Sequence, residues 1–385
     1  MTVAQLDWDA AREAAHASAR PLPMERVPLD AAIGRSLARD IRAHTPLPPW
    51  DASAMDGWAV CGEPPWIVVG EVRAGEVHPD ALNLGEAIRI ATGAVMPPMA
   101  IGVLRTEAGS IDLDGRLRGD ASPGLAVRPA GEEAREGELL IEAGSRLGPA
   151  HIGLMASAGH DEVIVVQRPR ARVLIFGDEL LTSGPARDGR IRDSLGPQLP
   201  GWLARFGVEV LDVLRVSDTM AAHVSAIESC DDADIIVTTG GTAAGPVDFL
   251  HAAIEVAGLS LVVDSVACRP GHPMLLARSP RRWLIGLPGN PQAAIAGLFT
   301  VGQPLVAGMH RCALPPLDSA EITVSVRGAP AVTRLIPCSL TGIRATPTSH
   351  MGSGMLRGLA TADAFAVLSP SGCSAGEMVP LLALD

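Results

Sequence analysis

The spacing of apolar positions changes three times along the chain, and each change marks a different kind of structure. An Ala-rich amphipathic stretch predicts a helix starting near Asp7, and after the proline-rich run PLPMERVPLD a second short helix is expected from Asp30 to about Asp40. The next run, HTPLPPWDASAMDG, places three prolines within five residues among small and polar neighbours, so it reads as a long loop. From Trp66 to Leu140 the β-branched runs WIVVGEV, AIRIATG, IGVLRTE and LAVRP, separated by Gly, Pro and Asp, predict a small sheet or barrel. HIGLMASAG, residues 151–159, predicts a short helix ending on Gly159, and DEVIVVQRP a strand.

Past Pro169 the rhythm becomes an alternation of strands and helices, from ARVLIFG through VEVLDVLRV, ADIIVTTGG, SLVVDSVAC and RRWLIGLPG to NPQAAIAGLFTVGQPLV. That alternation predicts parallel βαβ units whose sites sit at the C-terminal ends of the strands. After Met309 the rhythm stops and short strands return in AEITVSV, AFAVLSP and EMVPLLAL. The expected fold class is therefore multidomain α/β plus β, a central α/β domain flanked by small β domains.

Composition narrows the function. The 385 residues carry 41 Gly and 32 Pro without a collagen period, and 47% of them are hydrophobic, as in a globular chain of several domains. A net charge of −12 disfavours nucleic acid and anionic membranes as partners. There is no lysine, so all 31 basic positions are Arg, and any anion site must use Arg, His, backbone N–H groups or a metal. The six cysteines form no C-x-x-C pair, the first twenty residues lack a signal peptide's basic start, and no run reaches about 18 uninterrupted apolar residues. A reducing, cytoplasmic location is the expectation.

Three strands of the α/β part run into polar or glycine-rich turns: Gly177-Asp178-Glu179, then Gly240-Gly241-Thr242, then Pro288-Gly289-Asn290. Asn290 as N-cap and Pro291 as first helical residue predict a helix whose first N–H groups attract an anion. The GGTAAG turn lacks both the P-loop Lys and the dinucleotide spacing, although its glycines let backbone approach a ligand. Asp178, Glu179, Asp248 and Asp56 form a set of acids that could converge; around an anionic ligand they would need Mg²⁺, a protonated member, or a role on a water. The alternative for each is a solvated turn acid. Arg269 and His272 in CRPGHP offer an oxyanion grip, with no His or Cys at metal-ligand spacing.

Taken in order, PLPPWDASAMDGWAV, IRIATGAVMPP, VRPAGEEAREGELLIEAGSRLGPAHIGLMASAG, RPRARVLIFGDELL, DIIVTTGGTAAGPVDF, RPGHP, LPGNPQAA and GSGMLRGLATADAFAVL resemble the molybdopterin molybdenumtransferase family, called MoeA in bacteria and represented in animals by the gephyrin E domain. The resemblance covers nearly the whole chain. It implies insertion of molybdate into adenylylated molybdopterin with Mg²⁺-assisted release of AMP, in a homodimer whose active site lies between the α/β domain of one subunit and the small β domain of the other. It implies a three-layer molybdopterin-binding domain over 168–312, a discontinuous N-terminal domain over 1–42 and 135–167, a small β domain over 43–134 and a C-terminal β domain over 313–385. A molybdopterin adenylyltransferase and apo-molybdoenzymes are the protein partners it implies.

Residue by residue, Asp56 matches the acid of S-x-M-D-G, Thr92 the Thr of T-G-A, Glu179 the acid of G-D-E-L and Asp248 the acid after the G-G loop, while Glu133 stands where the family usually has Asp. The resemblance makes Asp56, Glu179 and Asp248 catalytic and Mg²⁺-binding. It makes Thr92, Glu133, Asp178, Gly240, Gly241, Arg269, His272, Pro288, Gly289 and Asn290 substrate-binding. The departures are Phe176 for a small hydroxylated residue, Leu195 for Asn, Thr242-Ala243 for Val-Ser, Pro246 for an acid or similar residue, Ser217 at an often acidic position, Arg269 and His272 for two lysines, and Ser265 for a third. They support a competing reading, a paralogue that binds molybdopterin as carrier or scaffold. A different nucleotide-processing enzyme on the same α/β domain ranks last, because the flanking β segments match throughout.

Overall fold

The computed structural model describes residues 5–242 and 249–384 of the chain, which folds into two compact units. Helix α1 (Trp8–Ser18) opens the chain, capped by Asp7, whose side chain accepts the Ala10 N–H. Its Trp8, Ala11 and Ala15 are buried in the core of the larger unit.

The smaller unit comprises residues 26–33 and 37–165. Its sheet has the order β2-β3-β1-β4, where β1 is Gly57–Val60, β2 Ile67–Val72, β3 Glu86–Ile90 and β4 Gly102–Arg105. Strand β1 is central because Gly57 lets it lie close on β4: a Cβ there would stand 2.0 Å from the Leu104 carbonyl oxygen. A separate apolar cluster joins Ala32, Leu37 and Ile41 to Ile141, Met155 and Val165, with helix α2 (Pro149–Ser157) upon it. The helix expected from Asp30 to Asp40 is only a 3₁₀ turn, Leu29–Ala31. Gly34 takes φ +74° just beyond it, and Leu37 pairs with Val165 instead of continuing a helix.

The larger unit holds a six-stranded sheet of order β6-β5-β7-β10-β9-β8: β5 Arg170–Phe176, β6 Glu209–Val216, β7 Ile235–Thr239, β8 Ser260–Asp264, β9 Leu275–Arg278 and β10 Trp283–Leu287. Residues alternate between two cores. Val173, Ile175, Val237 and Ile285 face α1, α3 (Leu199–Arg205) and the helical run Pro291–Met309. Leu174, Phe176, Ile236 and Leu284 face α4 (Met220–Glu228) and α5 (Leu250–Val256). That is the expected three-layer arrangement. The sheet is not wholly parallel, however: β9 runs antiparallel to both β8 and β10, a strand the βαβ rhythm did not predict.

The run Pro291–Met309 is long and apolar enough to cross a membrane but is 83% buried in this core. It comprises α6 (Pro291–Gly297), a π-helical turn at Leu298–Gly302 and α7 (Gln303–Met309). Pro304 cannot donate to an α-helical ladder, and the widened turn before it absorbs the missing bond. The C-terminal residues close a barrel of order β12-β13-β11-β15-β14-β12, with β11 Asp318–Ile322, β12 Thr333–Thr341, β13 Arg344–Pro347, β14 Ala364–Leu368 and β15 Met378–Ala383. Closure leaves no edge strand in the ring.

Helices α1 and α7 pack across Gly308, where a Cβ would stand 2.6 Å from Ala19 Cβ and 2.8 Å from the His16 carbonyl oxygen. Gly308→Ala must part these helices, and a loss of about 1–3 kcal/mol of unfolding free energy is expected in urea denaturation.

Candidate active site

Parallel register brings three strand ends of the larger unit to one rim. Ile175 of β5 pairs with Thr239 of β7, and Thr239 with Leu287 of β10, so the turns after Phe176, Thr239 and Leu287 leave the sheet side by side. The strand order places β5 between β6 and β7, and the chain's direction of winding reverses there, which opens a crevice above the strands. A cleft of about 600 Å³ occupies it, with Phe176, Glu179, Gly240, Gly289 and Asn290 among its walls.

Backbone freedom makes the turns tight. Gly177 takes φ +135°, and a Cβ there would stand 2.8 Å from Glu179 Oε2; Gly240 and Gly241 take φ +85° and +67°. Asp178 donates its backbone N–H to Asp218 Oδ2 at 3.0 Å, so Asp218 anchors the turn that carries Glu179 into the cleft. The helix start is less available to an anion than its sequence suggests. Asn290 makes no side-chain cap, Pro291 has no N–H, and the Ala293 N–H donates to the Ser353 carbonyl at 3.1 Å. Gln292 Nε2 donates to the Met351 carbonyl at 3.1 Å, which latches the glycine turn at residues 352–354 beside the helix and puts Gly354 and Leu356 in the cleft wall.

The segment Ile191–Leu195 also lines the cleft. Asp193 is buried and fully used: Oδ1 accepts the N–H groups of Leu195 (2.9 Å) and Gly196 (3.0 Å), and Oδ2 accepts Arg215 Nη2 at 2.5 Å. Its carboxylate is committed to shaping the loop. Arg192 also lines the cleft, as an exposed cation next to Ser194.

In the smaller unit Asp56 is exposed, and Oδ1 accepts both the Thr92 N–H (2.7 Å) and the Thr92 hydroxyl (2.9 Å). Those two bonds, backbone first, hold its pKa below the usual carboxylate value. The Thr92 hydroxyl is thus spent on orienting Asp56. Glu133 is exposed on the same unit, its N–H donated to the Leu47 carbonyl at 2.8 Å.

The structure therefore gathers Glu179, Gly240, Gly289 and Asn290 around one cleft. Asp178, Gly241 and Pro288 adjoin those residues in sequence but do not form its walls. Arg269 and His272 are also absent from the walls. They are exposed, and His272 Nδ1 lies 2.9 Å from the Val266 carbonyl, which it meets as a donor. Asp248 and Ala243 to Asp248 generally lie outside the described residues. Among the described residues no three His, Cys, Asp or Glu side chains group into a metal cage. Arg192, Asp193 and the glycine turn at 352–354 are site residues that the sequence does not single out, whereas Asp218 stands out there only as the carboxylate kept beside Ser217. The Asp two places before Leu195 was the available signal, since Asp in D-S-x-G typically accepts local amides.

Three family models tile the chain: the MoeA N-terminal region (domain I and II) matches residues 6–159, the probable molybdopterin binding domain 172–308, and the MoeA C-terminal region (domain IV) 319–384. The molybdopterin molybdenumtransferase of Haemophilus influenzae is 31% identical over 80% of this chain and 79% of its own length. That of Bacillus subtilis is 30% identical over 93% and 89%. The crystal structure of the molybdopterin biosynthesis MoeA protein from Pyrococcus horikosii superposes with a TM-score of 0.80 at 26% identity, covering 99% of this chain and 100% of that one. The chain belongs to the molybdopterin molybdenumtransferase (MoeA) family.

Two outcomes follow from the geometry. Thr92→Val removes one of the two bonds to Asp56, so its pKa rises toward the usual carboxylate value, read from the carboxyl-carbon shift during an NMR titration. Arg215→Ala strands the Asp193 carboxylate, and because Arg215 is partly exposed the loss is expected to be about 1–2 kcal/mol by chemical denaturation.

Proposed function

We propose that this chain acts in molybdenum cofactor biosynthesis by inserting molybdate into adenylylated molybdopterin with Mg²⁺-dependent release of AMP. The observation that carries the reading is the convergence of Glu179 with two glycine turns and the helix start at one parallel-sheet rim. The substrate is a phosphoanhydride, and such a rim offers backbone amides and the Arg192 guanidinium to its phosphates.

Glu179 would accept the proton of the water that attacks the phosphoanhydride phosphorus, the P–O bond breaking so that the molybdopterin phosphate and AMP separate, and the same carboxylate would help hold Mg²⁺. Mg²⁺ fits this donor set because it keeps several waters and binds through one or two carboxylates plus substrate phosphates, with no all-protein cage. When bound, it neutralises charge developing on the phosphoryl oxygens. Asp56, held as a carboxylate by its Thr92 bonds, supplies a further negative group from the small β domain, contributed in a homodimer by a second copy. Asp248 is placed with them by the resemblance alone. Six free cysteines, four of them buried, support a reducing cytoplasmic location.

A second reading, binding without turnover, is favoured by Phe176 and Leu195, cleft-bordering residues whose side chains are buried in the apolar cores and offer a charged ligand neither the hydroxyl nor the amide that the family resemblance implies there. The test mixes the protein with adenylylated molybdopterin, Mg²⁺ and molybdate. AMP release coupled to reconstitution of an apo-molybdoenzyme is expected, and Glu179→Gln is expected to reduce both by about a hundredfold or more. Tight binding with neither activity would establish the carrier instead.

A further inference from the structure

His223 is an anomaly on α4. The position faces the core beside Ile227, where an aliphatic side chain would cost nothing to bury, yet it holds an imidazole with no solvent exposure and, among the described residues, no hydrogen bond to either ring nitrogen. Its ring stacks on Phe176, with centroids 3.8 Å apart and planes at 13°, and meets Phe249 edge-on at 5.9 Å. The polar contact of the ring is Nε2 to Asp218 Oδ1 at 3.8 Å, an electrostatic approach too long for a hydrogen bond. The other oxygen of that carboxylate accepts the Asp178 N–H. Burial pushes the His223 pKa down, with Asp218 and then Asp178 opposing, so the ring is neutral at pH 7. Its hydrogen belongs on Nε2, the nitrogen that faces the carboxylate.

Phe176 borders the cleft while its buried ring turns to α4 and stacks on His223, so the ring pair links the residue before the Gly177 turn to the acid that anchors the Glu179 turn. We propose that His223 is a positioning residue: wedged between Phe176 and Phe249, it orients Asp218 against the Asp178 amide and thereby sets Glu179 in the cleft. This rests on the function proposed above as far as turnover is concerned, but the link from His223 to the Asp178 amide stands on geometry alone. It also assigns Phe176 a part in the same arrangement, as the surface that holds the imidazole plane.

Two substitutions separate ring stacking from the nitrogen. His223→Phe keeps the stack and removes Nε2; His223→Gln loses the stack and keeps a nitrogen near the same place. Hydrogen–deuterium exchange at the Asp178 amide is expected to quicken about tenfold in His223→Phe and to stay within about twofold of the parent in His223→Gln. Asp218→Asn is expected to quicken it as well, and the double variant with His223→Phe to add little further. In the AMP-release assay His223→Phe is expected to lower kcat about tenfold with KM within about twofold. Unchanged Asp178 exchange in His223→Phe, or equal quickening in both His223 variants, would overturn the proposal. The exchange readout needs no turnover, so it distinguishes failure of this link from failure of the proposed reaction. His223→Leu serves as the packing control, expected to exchange like His223→Phe; exchange like the parent's would also overturn the proposal.

Discussion

Everything at the candidate site depends on the register of β7 between β5 and β10. All five residues of β7 are buried, and each pairs with a residue of one or both neighbours, from Ile235 opposite Ala171 and Trp283 to Thr239 opposite Ile175 and Leu287. A slip of one residue would exchange the two faces of the strand, sending Val237 and Ile236 into the wrong cores. The sheet's hydrophobic alternation therefore holds the rim in register. Three turns of unrelated sequence emerge at one level because the strands beneath them have no other way to bury their side chains.

On that rim the acids are not simply gathered; Asp193 and Asp218 are committed by local bonds. Asp193 is saturated by two amides and Arg215 and shapes a wall. Asp218 is turned inward to hold the Asp178 amide. Glu179 is the exposed carboxylate among the cleft residues, and on the smaller unit Asp56 is kept ionised by Thr92. The site proposed for an anionic substrate tolerates few uncompensated negative charges, and Asp193 and Asp218 already have donors.

Much of this was legible beforehand, for identifiable reasons. Strand ends at glycine turns mark themselves by composition, and the long ordered resemblance carried the family and the three-layer domain. The antiparallel β9 escaped because MLLAR follows the turn-forming RPGHP, and a short apolar run after a turn carries no sign of its direction. Strand β12 escaped because Pro337 sits inside it, where a proline normally argues against a ladder. The helix expected after Asp30 failed to Gly34 and to pairing with the strand of Val165, a tertiary preference that overrides local propensity. At the site, Arg269 and His272 join the strand ends in the sequence reading through their anion-binding chemistry and the family resemblance. Their segment instead forms a short strand, Cys268–Arg269, alongside Thr333 and Arg334 of the barrel.

The proposed phosphate-binding position lies over the ends of β5, β7 and β10. Diffraction from crystals soaked with AMP and Mg²⁺ tests it most directly. The expected result is phosphate density in the cleft, within hydrogen-bond reach of the turns at Gly240 and Gly289 and near Glu179. Phosphate density at Arg269 and His272, with the strand-end cleft empty, would contradict the account.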